Sequence, residues 1–265
     1  MNFLTTLRLK NSKTQIDSVD VREEKGIRYL HFGSDWIQGA MRLSSPNALL
    51  LPYTREMMTG LLLHDNAHWP RHILQIGLGA ASITKYIYHQ FPETAQTIVE
   101  IDSRVAAAAR QSFHLPPVGE RLQLHIDDGS RWLRETSQTF DYIVIDGFDS
   151  NAQSGELNSS EFYGCAREHL NQQGILSVNI LGKYRHSKKY IERIRNTFHN
   201  RMISFPSADE GNIIVLAVTG ETVKISTAEL RQRAAALKQR SGLDLLPVVS
   251  CLEQCGFCAD GWFTL

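Results

Sequence analysis

Residues 73–82 read ILQIGLGAAS, a short apolar run that passes into a glycine turn and then into a helical pattern. This succession predicts a strand, a tight turn and a helix, which is one unit of an α/β fold. Gly77 and Gly79 allow a ligand to approach the backbone and leave the N-terminus of the helix facing it. A tight turn without any ligand has the same sequence, so this stretch alone does not establish a binding site.

Strand-like and helix-like segments alternate around this turn. We predict helices at residues 81–91, 104–113, 159–170 and 188–199, and strands at residues 72–76, 96–101, 121–126, 142–145, 174–180, 202–205 and 212–218. This alternation predicts a mostly parallel sheet with helices on both faces, and the turn-rich segment 206–211 predicts an antiparallel hairpin at one edge. Such a seven-stranded sheet resembles the Rossmann-like, class I fold of AdoMet-dependent methyltransferases.

Smaller elements precede the predicted sheet. Three β-type runs separated by turn residues predict an antiparallel meander, with strands at residues 16–21, 27–32 and 36–43. Apolar residues at helical spacing then predict a linking helix from Tyr53 to about Asn66. The meander and the linking helix together lead into the strand at residue 72.

A capping box predicts the last helix. Ser226 and Glu229 form an S-x-x-E pattern ahead of an amphipathic segment, and Gly242 is a typical stop. We therefore divide the chain into a small N-terminal β domain, a main α/β domain and a C-terminal helix with a cysteine-containing tail, at residues 1–50, 51–220 and 221–265.

Composition excludes several classes of protein. Lysine and arginine number 28 and aspartate and glutamate also number 28, so there is no basic excess that would favour nucleic acid. Hydrophobic residues make up 42% of the chain, which excludes a disordered protein, and no apolar run reaches the roughly 18 residues of a membrane span. The N-terminus also lacks the apolar stretch of a signal peptide. We therefore expect a cytoplasmic protein that binds neither membrane nor nucleic acid.

Acidic residues follow the next three predicted strands of the alternating region. Glu100 ends the second strand, Asp128 follows the third and Asp146 follows the fourth. The carboxyl ends of parallel strands meet at one edge of a sheet, so we expect these carboxylates to converge on the Gly77 turn. An acid at the end of the second strand hydrogen-bonds ribose hydroxyls in nucleotide-binding α/β folds. The series predicts nucleoside binding, although a single loop Asp is more often a cap or turn residue.

These motifs resemble the spermidine synthase (polyamine aminopropyltransferase) family over about residues 16–220. The matching segments correspond to that family's G-G-G-D-G-G, E-I-D, D-G and D-x-x-D, at residues 77–82, 100–102, 128–129 and 146–149. The resemblance implies that decarboxylated AdoMet or AdoMet binds as co-substrate and that a small-molecule amine accepts the transferred group.

The resemblance also implies a role for each matched residue. Asp146 is the catalytic carboxylate, and Asp149 and Tyr53 bind the amine. Glu100 holds the ribose, and the nucleoside contacts as a whole are Gln38, Gly77, Gly79, Glu100, Asp128 and Gly129. Chemistry supports the role of an acid, because an amine with a pKa near 10 is protonated at neutral pH and must lose a proton before it attacks.

Three departures from the family pattern concern the transferred and accepting groups. Ala80 stands at the Asp of the glycine loop, Leu49 and Leu50 stand at the acidic pair before the linking helix, and residues 206–211 lack the family's Tyr-Pro. A long polycation needs a carboxylate for each ammonium group, and this chain has fewer of them. The departures therefore favour a smaller amine, or a different acceptor with ordinary AdoMet, and predict weak turnover of putrescine.

We predict a spermidine synthase-like transferase that moves an aminopropyl or related group to an amine. Two alternatives remain, an AdoMet-dependent methyltransferase acting on an unknown small substrate and a non-catalytic nucleoside-binding relative. An NAD enzyme is a weaker alternative, because it needs no carboxylate pair at Asp146 and Asp149. The meander is marginal alone and has open edges, so we expect a homodimer formed through it.

The cysteines show a pattern of their own. Cys251, Cys255 and Cys258 have the spacing C-x₃-C-x₂-C, which resembles the iron–sulfur motif of radical AdoMet enzymes. Those enzymes carry the motif early in a barrel domain, whereas here it follows a completed methyltransferase-like sheet. We therefore predict free thiols and no metal, with a zinc site as the alternative.

Overall fold

The structure, a computed structural model, describes residues 18–66, 68–147, 155–182, 186–209 and 211–265. Its first elements form an antiparallel three-stranded meander of β1 (Asp20–Glu24), β2 (Ile27–His31) and β3 (Ile37–Arg42). The predicted meander is confirmed. Its first strand spans residues 20–24, whereas the sequence pattern predicts a strand at residues 16–21.

The segment after the meander is not one helix, so the prediction of a helix from Tyr53 to Asn66 is wrong. It forms helix α1 (Pro52–Glu56) and a separate 3₁₀ turn at Thr59–Leu62. The buried hydroxyl of Tyr142 lies between them, where it donates to the carbonyl of Met57 and accepts from the N–H of Gly60. A side chain that takes these two backbone groups replaces the hydrogen bonds of a continuous helix, which explains the break.

The central sheet has seven strands: β4 (His72–Ile76), β5 (Ala95–Glu100), β6 (Leu122–Ile126), β7 (Phe140–Ile145), β8 (Leu170–Leu181), β9 (Met202–Pro206) and β10 (Asn212–Val218). Their order is β6-β5-β4-β7-β8-β10-β9. The first five strands in this order are parallel, whereas β10 pairs antiparallel with both β8 and β9. The predicted Rossmann-like, class I architecture with an antiparallel edge hairpin is confirmed.

Five helices accompany this sheet: α2 (Ser82–Gln90), α3 (Ser103–Ser112), α4 (Gly129–Glu135), α5 (Ser160–Glu168) and α6 (Ser187–Thr197). Both faces of the sheet are covered, because Tyr142 and Val144 of β7 belong to one buried cluster while Ile143 and Ile145 belong to another. Helix α4 has only seven residues and was not predicted from the sequence.

The C-terminal elements are β11 (Lys224–Ser226), α7 (Thr227–Ser241), α8 (Leu246–Gln254), β12 (Cys258–Ala259) and β13 (Trp262–Thr264). The predicted cap is present, since Ser226 Oγ accepts from the N–H of Glu229 at 3.1 Å, and Gly242 ends α7 with a left-handed φ of 73°. The small sheet β11-β13-β12 was not predicted. The domain boundaries near residues 50 and 220 stay a prediction. Among the described helices, none has the length and apolar character that crossing a bilayer requires.

Candidate functional site

The glycine turn after β4 has a backbone conformation that favours glycine. Gly77 has a φ of 91° and Gly79 a φ of 52°. A Cβ atom at Gly77 would lie 2.2 Å from the carbonyl oxygen of Asp146, so the turn and the end of β7 are in direct contact. Buried Gln75 supports the turn by donating from Nε2 to the Gly77 carbonyl at 2.7 Å. The backbone of this turn therefore carries no side chain at Gly77 and Gly79, and Gln75 fixes its position.

Glu100 braces the same turn through both of its oxygens. Oε2 accepts from the N–H of Leu78 at 2.9 Å and Oε1 accepts from the N–H of Asp102 at 2.9 Å. Burial raises the pKa of Glu100, and these backbone hydrogen bonds act against that rise. Each carboxylate oxygen can accept a further hydrogen bond, so the side chain has capacity left for a ligand hydroxyl.

Asp128 and Gly129 lie beside Glu100 at the start of α4. Asp128 Oδ1 accepts from the N–H groups of Ser130 and Arg131, both at 2.9 Å, and so caps the helix. Partial burial alone would raise the pKa of Asp128, but these hydrogen bonds outweigh it and hold the pKa below its usual value. A Cβ at Gly129 would lie 2.4 Å from Ile76 Cγ2, so glycine allows α4 to pack closely on β4.

The N-terminal meander packs against the glycine turn from outside the sheet. The carbonyl oxygen of Gln38 is 3.5 Å from a Cβ position on Gly79. Ala80 is buried, and its methyl group lies only 2.5 Å from where a Cβ on Gly39 would sit. The side chain at position 80 therefore packs in the contact between the glycine turn and β3.

Two side chains of different origin act on Asp146. Its Oδ1 accepts from Asn179 Nδ2 at 2.9 Å, and the hydroxyl of Tyr53 on α1 lies close enough to affect its pKa. Burial raises the pKa of Asp146, whereas Asn179 and Tyr53 both lower it. Burial, followed by the charge of Asp146, raises the pKa of Tyr53 well above its ordinary value. These three side chains form a polar group beside the Gly77 turn.

The segment between β9 and β10 contacts α1. Asp209 Oδ2 accepts from the N–H of Tyr53 at 3.1 Å, and Glu56 Oε1 accepts from the N–H of Ala208 at 3.0 Å. Among the described residues, Glu56 Oε2 and Asn179 Oδ1 are buried oxygens without a hydrogen-bond partner.

The structure brings most of the expected site residues together. Gly77 contacts Asp146, Glu100 contacts the glycine turn, and the Asp127 N–H donates to the Glu100 carbonyl at 3.0 Å. Asp149 lies outside the described residues. What each residue does toward a ligand stays a prediction.

Sequence reasoning missed two residues of the site, Gln75 and Asn179. Asn179 had a usable signal, because it is a polar residue near the end of its strand, at the same edge as the expected carboxylates. Glu56 is one residue away from the position of the family's Glu after Tyr53, and its contact with Ala208 had no signal because it joins residues 152 positions apart.

The C-terminal cysteines do not form a metal site in the described part of the chain. Cys251 Sγ and Cys255 Sγ are 3.9 Å apart, and Cys258 is on β12. No group of three or more His, Cys, Asp or Glu residues suited to a metal ion occurs among the described residues.

The sequence and the fold both match known proteins. A model of the spermine/spermidine synthase domain matches residues 51–208. The polyamine aminopropyltransferase of Neisseria meningitidis is 35% identical over 93% of this chain and 93% of its own length, and that of Chromobacterium violaceum is 34% identical over 93% and 94%. A probable spermidine synthase from Corynebacterium glutamicum has the same fold, with a TM-score of 0.67 at 19% identity over 85% of this chain and 91% of that one. The chain therefore belongs to the spermine/spermidine synthase family of transferases.

Proposed function

We propose that this transferase moves the aminopropyl group of decarboxylated AdoMet to a small amine, with Asp146 as the base. The observation that carries the proposal is the position of Asp146, whose backbone contacts the Gly77 turn while its side chain meets Asn179 and Tyr53. In our proposal one carboxylate thus serves both the glycine turn and the polar group that Asn179 and Tyr53 form with it. The names of the relatives agree with this activity.

The nucleoside side supports binding of the co-substrate. Gly77 and Gly79 carry no side chain and both have a positive φ, so a nucleoside can approach the backbone of this turn. In our proposal Glu100 holds the ribose hydroxyls, Asp128 and Gly129 face the adenine, and Gln38 closes the site from the meander. A solved spermidine synthase that shares this fold, with a TM-score of 0.58, is a complex with the transition-state analogue AdoDATO.

The amine side supports deprotonation of an ammonium group. Asp146 binds the incoming cation and accepts its proton, and Asn179 Oδ1, which has no partner among the described residues, accepts a second N–H. The neutral amine then attacks the carbon beside the sulfonium. A C–N bond forms as the C–S bond breaks, the electron pair goes to sulfur, and methylthioadenosine leaves. Alignment of the two substrates supplies much of the acceleration. Asp149 is the proposed contact for a second ammonium.

The test is an assay of the full chain with decarboxylated AdoMet and a panel of primary amines of increasing length. We expect methylthioadenosine release that depends on the amine, with putrescine a weak acceptor. Calorimetry should show binding of methylthioadenosine. Methyl transfer from AdoMet without aminopropyl transfer would contradict the proposal, as would the absence of binding by any adenosine derivative.

We also propose that two copies associate through the N-terminal meander and that the enzyme works in the cytoplasm. Strand β1 is an exposed edge, and Trp36 and Ile37 are 56% and 49% exposed. Large exposed apolar side chains beside an open strand edge favour burial against another chain. Light scattering on the full chain tests this, because a monomer at micromolar concentration would contradict it.

A further inference from the structure

Two hydrogen bonds in opposite directions join α1 to residues 207–209. The carboxylate of Asp209 accepts from the N–H of Tyr53 at 3.1 Å, and the carboxylate of Glu56 accepts from the N–H of Ala208 at 3.0 Å. Helix α1 and the segment 207–209 thus each contribute one backbone N–H and one carboxylate. We call this pair of contacts the reciprocal clamp.

Helix α1 needs an external cap. It has five residues, and its N-cap residue Leu51 has no side-chain oxygen with which to bind the first N–H groups. Asp209 supplies that acceptor from 156 residues away in the sequence. A helix of this length is not stable by itself, so its position depends on such contacts.

The clamp acts on a residue that reaches the site. Tyr53 donates its backbone N–H to Asp209, and its hydroxyl lies close enough to Asp146 to affect the pKa of that carboxyl. The charged groups that act on the Tyr53 hydroxyl are Asp146 and Asp209. Any change in how Asp209 holds α1 is therefore transmitted along the Tyr53 side chain to Asp146.

We propose that Asp209 is a positioning residue, which caps α1 at Tyr53 and thereby holds the Tyr53 hydroxyl against Asp146. The acceptor-amine subsite is then set by a loop acid rather than by the acidic pair that is absent at residues 49–50. This inference rests on the proposed function only for its kinetic readout. It contrasts with a direct role in which Asp209 binds an ammonium group of the substrate.

The first test does not require turnover. Absorbance at 295 nm is followed as the wild type, Asp209→Ala, Asp209→Asn and the double variant Asp209→Ala/Tyr53→Phe are titrated with base. Asn caps helices about as well as Asp, so Asp209→Asn removes the charge and keeps the cap. We expect Asp209→Ala to expose one additional tyrosine that ionises near pH 10, absent from the double variant and from Asp209→Asn.

The matched control is Asp244→Ala. Asp244 also accepts an N–H at the start of a helix, from Leu246 at 3.1 Å, but that helix is α8 and not α1. It should lower stability without changing the tyrosine titration. If Asp209→Ala fails to fold, Ala208→Pro tests the other half of the clamp, because it removes the N–H from which Glu56 accepts its hydrogen bond. The titration of this variant should show the same additional tyrosine that ionises near pH 10. Unchanged titration in a folded clamp variant would overturn the proposal.

The second test is a kinetic cycle of methylthioadenosine release. Asp209→Ala should lower kcat about 10²-fold, as a misplaced site group does, while KM for decarboxylated AdoMet stays within about twofold. It should have no further effect in the Tyr53→Phe background. If instead Asp209→Asn raises the KM for the amine as much as Asp209→Ala does, Asp209 binds the substrate and the positioning role is wrong. If the wild type shows no turnover, the proposed function fails and the titration alone decides the clamp.

Discussion

The proposed nucleoside side and the proposed amine side of this site are built differently. On the nucleoside side, Gly77, Glu100 and Asp128 follow successive strands, and each is held by hydrogen bonds to backbone close to its own strand or the next. On the amine side, Tyr53 and Asp209 come from segments 156 residues apart, and they meet only in the folded chain. The first kind of site is determined by local sequence, whereas the second depends on tertiary contacts. Substitutions should therefore have separable effects on the two sides.

The largest expected effect is that of Asp146→Asn on turnover. The amide keeps the shape of the side chain but cannot accept the proton of an ammonium, so the rate should fall about 10²- to 10⁴-fold. Affinity for methylthioadenosine, measured by calorimetry, should stay within about threefold because the nucleoside side is untouched.

The matched control is Asp141→Asn at the other end of β7. Asp141 accepts from the N–H groups of Arg71 and His72, contacts that an amide oxygen can also accept. Turnover of this variant should stay near the wild-type rate. A wild-type rate in Asp146→Asn would show that the two sides do not share this carboxylate.

The next effect concerns Lys85 of α2, the helix that follows the glycine turn. Lys85 is buried with Met41 Sδ at 3.0 Å, and burial, followed by the charge of Arg28, lowers its pKa to about 8. The unfolded chain binds the proton more tightly, so wild-type stability should rise as pH increases from about 8 to 10.5. At pH 7 Lys85→Met should stabilise the protein by about 3 kcal/mol in urea unfolding.

The exposed lysine Lys188 on α6 provides the control, since Lys188→Met should leave the free energy of unfolding within about 0.5 kcal/mol. Destabilisation by Lys85→Met would mean that the buried ammonium has a partner that stabilises it.

Glu100→Gln should produce a smaller, local effect. The amide has one acceptor oxygen where the carboxylate uses two, so either the Leu78 or the Asp102 N–H loses its partner. Loss of a charged acceptor corresponds to about 1.5 to 3 kcal/mol, or roughly ten- to a hundredfold weaker binding of methylthioadenosine by calorimetry. Glu93→Gln, which changes an exposed acid paired with His68, is the control. Equal affinity in both variants would remove Glu100 from the nucleoside side.

The contrast between local sequence and tertiary contacts also explains how much of the structure the sequence alone predicts. The alternation of strands and helices, the edge hairpin and the carboxylates after successive strands follow from local periodicity, and all are present. The helix predicted from Tyr53 is broken because Tyr142, remote in sequence, binds its backbone. Strands β12 and β13 have only two and three residues, too few for a period-2 pattern.

Ala80 is a second position at which the sequence does not reveal the tertiary packing. The family resemblance marks it as a missing contact to the aminopropyl ammonium, whereas the structure shows a buried methyl group packed at β3. The packing of the meander on the turn therefore accounts for alanine at this position. Asp209 is visible in the sequence as an acid in the segment that lacks the family's Tyr-Pro, but its contact with α1 is not, because both hydrogen bonds of the clamp span more than 150 residues.

The smallest expected effect is on the pH profile, and it tests whether the amine side acts through Tyr53. Burial raises the pKa of Asp146 above its usual value, and Asn179 and Tyr53 lower it in part. As a base, Asp146 must be ionised, so kcat falls as pH drops through this raised pKa. Tyr53→Phe removes the hydroxyl, one of the two groups that lower this pKa, and should move the acid limb of kcat to higher pH.

Stability should respond to pH with the opposite sign. The folded state holds the proton of Asp146 more tightly than the unfolded state, so the contribution of this group to stability is present at low pH and is lost as pH rises through the folded pKa. Tyr53→Phe should move that loss to higher pH together with the acid limb, in urea titrations made in the same buffers. Tyr29→Phe, a change in β2 away from Asp146, should move neither. An acid limb that stays in place while the stability curve moves would mean that Asp146 is not the group whose ionisation limits turnover.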